Sequence, residues 1–523
     1  MSTAASLPSD PRVLKQLVLE LREQLSKVLR EKKSLEFEIQ KLARQLFGRR
    51  SERIDPNQLT IPELATLLQA LEERQASIEE SPIEEPAPAP ERRRRPKRRR
   101  RGPRFEDLPR ERIEHPLPEQ DWLCSCCDQK RRIIRYEISE QLEYRPSTFV
   151  VLEHARPVAV CTRGCDDVPT IAPKPKQPIE KGLPGPGLLA HLAVSKYADH
   201  LPLHRLERIW RRQGVKISRS TMADWVGAIA GRAGPVVDHL RRDLLRSRVL
   251  ATDDTTVPVL EPRQNTTKKG RLWVYVGDDE HPWVLFDYTP TREGRGPEDY
   301  LSGFEGFLQA DAYSGYDRLY AEGKVLEVGC WMHCRRYFYE AAQADPARPC
   351  EALAFIRELY RVEREVKDAS IEKRRAQREE HARPILVAFE TWIARELEST
   401  LPKSPLGKAL GYASRQWKAL TRYVEHGDLP IDNGRSEREL RAVAIGRKNW
   451  TFAGSDVGAQ RAATIYSLLA SCRRQQVDSF AYLRDLLQRL PTHPAERLGE
   501  LTPLAWKAER DKKAEEVALV AAG

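Results

Sequence analysis

What the chain lacks narrows the field. It has no apolar run long enough to span a bilayer, which takes about 20 consecutive apolar residues. Its opening Met1-Ser2-Thr3-Ala4-Ala5 lacks the basic and apolar regions of a secretory signal. A cytoplasmic protein with no membrane partner is therefore expected. Cysteine is sparse, nine in 523 residues, and in a reducing compartment these are thiols or metal ligands rather than disulfides. Apolar residues make up only 40% of the chain, low but still globular. The length exceeds a single hydrophobic core, so several domains are expected.

Acidic residues are missing from one stretch in particular. Residues 92–104 hold ten Arg or Lys and no acid, against a net charge of +11, so the rest of the chain sums to +1. Self-repulsion keeps such a tract from folding alone. Arg92, Arg93, Arg94, Arg95, Lys97, Arg98, Arg99, Arg100 and Arg101 are candidate phosphate contacts, because clustered cations displace the counterions of nucleic acid. The bland alternative is a solvated linker.

Proline and glycine are absent from residues 12–47. Leu14, Leu21, Val28, Leu35 and Leu42 form one seam, and Val18, Leu25, Lys32, Ile39 and Leu46 the other. A 3,4 spacing held over five heptads predicts a coiled coil that pairs protomers. A short helix around 61–76 and a Pro-rich extended segment then lead into the arginine tract.

Next come two cysteine knuckles, Cys124-Ser125-Cys126-Cys127 and Cys161-Thr162-Arg163-Gly164-Cys165, joined by strand-like segments. They resemble a zinc ribbon in which Cys124, Cys127, Cys161 and Cys165 bind Zn²⁺ tetrahedrally. Cys126 competes as a ligand, and His154 is a possible substitute for one cysteine. Such a small, weakly apolar domain would need the metal to fold.

Residues 187–232 are helical by pattern. One segment, Leu201–Trp210, leads through Gly214 to a second, Ile217–Val226, with Ser218 or Ser220 as a candidate N-cap. This is a helix-turn-helix layout, with Arg219 as a candidate DNA contact. From Arg248 the apolar period changes. Val249–Asp253 is expected as a strand ending in acids, followed by Leu272–Val276, Trp283–Tyr288 and Gly306–Asp311. A three-strand meander, a helical crossover and a strand ending in Asp fit a ribonuclease H-like core.

Three segments carry carboxylates suited to one chemistry: Asp253-Asp254, Asp311, and Asp432 to Glu439. Carboxylates at strand ends and on a facing helix can hold two Mg²⁺ ions for in-line phosphoryl displacement. Hard divalent ions want oxygen ligands, which excludes His and Cys from that task. Adjacent strand residues point to opposite faces, so only one of Asp253 and Asp254 can face the site. Asp432, Glu437 and Glu439 compete for the third place, with Asp432 or Asn433 better placed as a helix cap. Arg447, Lys448 and Trp450 suit phosphate and base contacts nearby. Phe452 is expected in the core.

These motifs carry a family resemblance over nearly the whole chain. Leu429-Pro430-Ile431-Asp432-Asn433 through Glu437, Gly446-Arg447-Lys448-Asn449-Trp450 and Ala453-Gly454-Ser455 resemble the terminal catalytic block of DDE transposases of the insertion sequence sixty-six family. Leu46-Phe47-Gly48-Arg49-Arg50-Ser51-Glu52-Arg53, the cysteine pairs and Tyr482–Leu487 are similar to the family's other parts. The resemblance implies Asp253, Asp311 and Glu437 as catalytic metal ligands, for two Mg²⁺ with Mn²⁺ as a possible replacement. It implies Cys330-Trp331-Met332-His333 as a Cys-x-x-His element after the second acid, where packing at a strand end is the plainer role. Asp254, Ala312 and Gly434 stand where the family more usually has Glu, Gly and Asn.

The resulting expectation is a multidomain α+β protein. Residues 1–55 form the coiled coil, 56–105 the helix and linker, 106–178 the zinc-finger-like domain and 179–245 the helical hairpin region. Residues 246–465 form the ribonuclease H-like catalytic core with a helical insertion at about 340–425, and 466–523 a C-terminal helical domain. The implied function is a bacterial transposase, nucleoid-associated when on DNA. It would bind terminal inverted repeats and target DNA, act as a homodimer or larger oligomer, and work with accessory proteins of the same element. A ribonuclease H-like nuclease or resolvase without strand transfer, and an inactive DNA-binding regulator, are the alternatives.

Overall fold

The structure is a computed structural model that describes residues 110–522, except 124–128, 146–147, 164–168, 181, 262–265 and 344–346. The expected coiled coil, the helix at 61–76 and the arginine tract lie outside the described residues. So do Cys124, Cys126, Cys127 and Cys165. Residues 101–339 and 349–523 form one compact unit, which carries both sheets.

Its first sheet is built on a long hairpin. β1 (Arg110–Glu114) runs parallel to β3 (Thr148–Cys161), β2 (Arg131–Arg145) runs antiparallel to β3, and β4 (Thr170–Ile171) pairs with β3. The Phe149-Val150-Val151-Leu152 run supplies the β-branched and aromatic residues that suit a half-buried pleat. Arg131 is the register partner of Cys161, and the neighbouring Lys130 bridges to Leu123. That bridge closes the chain on either side of 124–128, beside the strand that ends at Cys161. His154 is engaged within the sheet: its Nδ1 is 3.0 Å from His115 Nε2, and its Nε2 is 3.0 Å from Gln141 Oε1.

Three helices follow, α1 (Pro186–Tyr197), α2 (Leu203–Arg212) and α3 (Arg219–Leu244). Gly214, with φ +83°, makes the turn between α2 and α3 where a Cβ would be strained. Ser218 caps α3, its hydroxyl accepting from Thr221 N–H at 3.2 Å. Leu206, Trp210, Met222 and Val226 close the hairpin onto the common core.

The second sheet has the order β7-β6-β5-β8-β9. β5 (Val249–Glu261), β6 (Thr266–Val276) and β7 (Val284–Thr289) form an antiparallel meander. Helix α4 (Arg295–Tyr300) then crosses over to β8 (Gly306–Gln309), which pairs parallel to β5. Helix α5 (Asp317–Ala321) leads to β9 (Val325–Val328), parallel to β8. β5 does not end at its acids as expected; it runs on to Glu261, because Pro258-Val259-Leu260 stays paired with Thr267-Lys268-Lys269 of β6.

The remainder is helical: α6 (Trp331–Ala341), α7 (Ala347–Glu365), α8 (Ile371–Gln377), α9 (Arg383–Ser399), α10 (Pro405–Arg415), α11 (Trp417–Glu425), α12 (Gly434–Trp450), α13 (Asp456–Arg474), α14 (Ser479–Arg489) and α15 (Pro503–Ala522). Helix α13 covers the outer edge of β7. Ser467 Oγ accepts from Phe286 N–H at 2.8 Å and Ser471 Oγ from Val284 N–H at 3.1 Å. Two hydroxyls spaced i, i+4 thus satisfy an edge that would otherwise invite another strand.

Candidate active site

The site forms where β5, the end of β8 and the start of α12 meet. β5 and β8 are in register at Ala251↔Gln309. Asp253 and Asp311 each lie two residues beyond that last pair, near enough for Asp311 to repel the Asp253 carboxyl. Gln309 Nε2 donates to Pro430 O at 2.7 Å, fastening the segment before α12 to the end of β8. Asn433 fastens it to β5: its Nδ2 donates to Thr252 O at 2.7 Å, one residue before Asp253. Asn433 N–H reaches Cys330 Sγ at 3.3 Å, and Trp331 N–H donates to Ile431 O at 3.2 Å, so the start of α6 joins the same knot. The Cys-x-x-His element is therefore a packing device at its cysteine end, with Cys330 pushed up to about 12 by burial.

Neighbouring acids are sorted by their partners. Asp254 is consumed by two guanidiniums, Arg271 Nη1 at 2.7 Å and Arg292 Nη2 at 2.9 Å. Asp432, one residue before the Asn433 N-cap, accepts from Gly434 N–H at 2.9 Å and from Tyr360 hydroxyl at 2.7 Å. Glu439 is ion-paired to Arg473. Asp253, in contrast, has no ion pair among the described residues; its Oδ1 accepts Asp254 N–H at 2.7 Å. Burial raises its carboxyl to about 7, and repulsion from Asp311, Asp254 and Glu437 adds to this against the Asp254 N–H. Asp311 is also raised by burial, opposed mainly by Arg292, whose Nη2 lies 3.5 Å away. Glu437, in the first turn of α12, is raised by burial and by Asp432, with Arg336 opposing. His333 Nε2 stands 3.7 Å from Glu437 Oε1, but burial lowers that imidazole to about 4, so it is neutral.

Buried carboxylates that repel one another suit a hard divalent cation, which takes oxygen donors. Among the described residues, no three His, Cys, Asp or Glu stand as a closed ligand cluster. The fit to a metal therefore rests on the chemistry of the three acids and on the repulsion that Asp311 and Glu437 exert on Asp253.

The candidate DNA contacts divide. Arg219 and Lys448 are exposed. Arg447 is not free for phosphate as expected: its Nη1 donates to Thr255 Oγ1 at 2.8 Å and Thr256 O at 2.6 Å, tying α12 to β5. Trp450 is half-buried against the core. Phe452, expected inside, is 43% exposed, because the chain turns sharply at Thr451. Sequence reasoning missed Arg292 and the anchoring role of Asn433. Arg292 stands in no pattern that marks it, whereas Asn433 directly precedes an acidic helix start, a position that suggests only a cap.

Residues 181–461 match the family described as Transposase IS66 family. This is more than half of the chain. The chain belongs to the IS66 transposase family. Residues 467–504 of this transposase match the IS66 C-terminal element, and residues 34–113 the Transposase C of IS166 homeodomain. Residues 122–166, which hold both cysteine pairs, match the zinc-finger binding domain of transposase IS66. Relatives include three proteins of Sinorhizobium fredii. The one named Uncharacterized protein y4hP is 32% identical, over 91% of this chain and 89% of its own. Uncharacterized protein y4qI is 35% identical over 76% of both chains, and Uncharacterized protein y4jD is 28% identical over 96% of this chain and 98% of its own. No described helix is long and apolar enough to cross a membrane.

Proposed function

We propose that this transposase cuts DNA at the terminal inverted repeats of its element and joins the freed 3′-hydroxyls to target DNA, with Asp253, Asp311 and Glu437 as the catalytic carboxylates. The observation that carries the reading is how the acids of three distant segments are sorted by their partners. Asp253 is raised by both Asp311 and Glu437, while Asp254, Asp432 and Glu439 are bound elsewhere. The strand order β7-β6-β5-β8-β9, an antiparallel meander followed by two parallel strands, supports a ribonuclease H-like core at residues 246–465 with a helical insertion.

The three carboxylates would hold two Mg²⁺, which when bound supply Lewis acidity at the attacking and leaving oxygens. Arg292 holds Asp254 and reaches Asp311, linking the two segments that carry the first and second acids. Asn433 sets the start of α12, and so Glu437, against β5. In cleavage, water forms a bond to phosphorus and the bond to the 3′ oxygen breaks, releasing a 3′-hydroxyl and a 5′-phosphate. In joining, that hydroxyl takes water's place at a target phosphodiester.

Around this core, Cys124, Cys127, Cys161 and Cys165 would hold Zn²⁺, which the match at 122–166 supports. The N-terminal coil would pair protomers. Arg219, Lys448 and the tract from Arg92 to Arg101 would lie on DNA, in the bacterial cytoplasm at the nucleoid, with accessory proteins of the element. Purified protein, pre-cut repeat DNA, a plasmid target and Mg²⁺ test the reading. Joined products are expected; free 3′ ends without joining would leave a nuclease.

A further inference from the structure

A groove of about 620 Å³ lies between the end of α1, the starts of α2 and α3, the start of α13 and the segment after α12. Its charge is of one sign. Lys196, Arg219, Arg461 and His204 line it, and no carboxylate does. Among the described residues, Lys196, Arg219 and Arg461 have no ion pair. Burial lowers Lys196 to about 8, and an anion beside it would raise it again. Asp456, which opens α13, is turned to Lys268 at 2.8 Å and to the Tyr288 hydroxyl at 2.5 Å.

Phe452 stands exposed in this groove on a turn held from both sides. Thr451 has φ 60° and ψ −50°, and Phe452 N–H donates to Trp450 O at 2.7 Å. This is the rare, strained γ-turn, and a β-branched residue is disfavoured at positive φ. The surroundings over-determine it. Thr451 N–H donates to Arg447 O at 2.9 Å; Ala453 N–H donates to Pro258 O, and Leu260 N–H to Ala453 O, both at 2.8 Å. Backbone strain of this kind persists where the surroundings enforce it, and it clusters at ligand clamps. Here it turns Trp450 toward the core and leaves Phe452 outside.

The geometry points to a binding site for an unpaired DNA nucleotide, its base stacked on Phe452 and its flanking phosphates on Lys196, Arg219 and Arg461. Every base offers a π-face, and a carboxylate-free basic groove suits the phosphodiester on either side. A base inside a duplex presents no free face, so the strand must be single or flipped there. Glu437 and Trp450 are 13 residues apart on α12, which is about 20 Å along the axis. The site rests on the reading of Asp253, Asp311 and Glu437 as the cutting centre.

The test is binding by the full-length protein in EDTA, where no cutting occurs. The probes are a fluorescent oligothymidylate and a blunt duplex of equal length. Phe452→Ala is expected to weaken oligothymidylate binding about 5- to 100-fold, with duplex binding held within about twofold. Phe452→Tyr is expected to restore it. Joint Arg219→Ala and Arg461→Ala is expected to lower the single-strand salt slope by about 1.4. A 5-iodouracil-bearing oligonucleotide is expected to crosslink at Phe452 or Trp450. Equal effects of Phe452→Ala on both probes, or crosslinks confined to other segments, would overturn the nucleotide site and leave the cutting centre standing. Wild-type protein that binds the duplex but not the oligothymidylate would likewise overturn the nucleotide site.

Discussion

Replacing Asp253 with Asn should abolish cleavage and yet make the metal-free protein more stable. The carboxylate accepts Asp254 N–H at 2.7 Å, and the Asn amide oxygen keeps that bond. What the substitution removes is a buried charge facing Asp311 and Glu437. The carboxyl is raised from 3.8 to about 7. At about 1.4 kcal/mol per pH unit, ionising it in the folded state costs about 4 kcal/mol more than in the unfolded chain. Partial water access reduces this to about 2 kcal/mol, or roughly 2–6 °C in Tm. The sign follows from the raised value. The cost is absent below about pH 3.8, grows as pH rises, and is complete above about 7. Thermal melts in EDTA should therefore show Asp253→Asn above wild type at pH 8 and level with it near pH 4. Mg²⁺ should then raise the wild type more than the variant. A variant that melts no higher at pH 8, or by a margin independent of pH, would refute the reasoning.

Other outcomes rest on single contacts. Asn433→Ala removes the donor to Thr252 O and leaves a buried carbonyl unpaired, a cost of about 1–3 kcal/mol in urea unfolding; cleavage should fall further than folding does, because Glu437 loses its anchor. Deleting residues 92–104 should flatten the log-affinity against log-salt slope on duplex DNA by up to roughly 9 units, and an unchanged slope would make the tract a linker. Elemental analysis should find one zinc per chain, lost in Cys127→Ser; strong chelation should melt the sheet around β2 and β3 before the second sheet, as read by hydrogen exchange.

Much of the core was legible because burial imposes a period. The continuous aromatic and β-branched runs Leu272–Val276 and Trp283–Tyr288 marked β6 and β7, and Ser218 before an apolar helical period marked the start of α3. The candidate acids stood out by type and segment. Their partners did not, since a period gives the face of a side chain and not what lies opposite. Nothing near Thr291-Arg292-Glu293 indicates that Arg292 reaches both Asp254 and Asp311. Arg447 beside Lys448 looks like a phosphate contact until β5 is seen to occupy it. Phe452 followed the rule that aromatics go inside, and the γ-turn at Thr451, which no composition announces, overrode it.

The central claim is that Asp253, Asp311 and Glu437 act as one centre while their acidic neighbours only hold structure. Cleavage of repeat-end DNA in Mg²⁺, by each single variant, tests it most directly. Asp253→Ala, Asp311→Ala and Glu437→Ala should each lose activity by roughly a thousandfold or more, non-additively when combined. Asp432→Asn and Glu439→Gln should stay within about tenfold of wild type. An Asp311→Ala variant that cuts like the wild type, or an Asp432→Asn variant as dead as the three, would contradict the account.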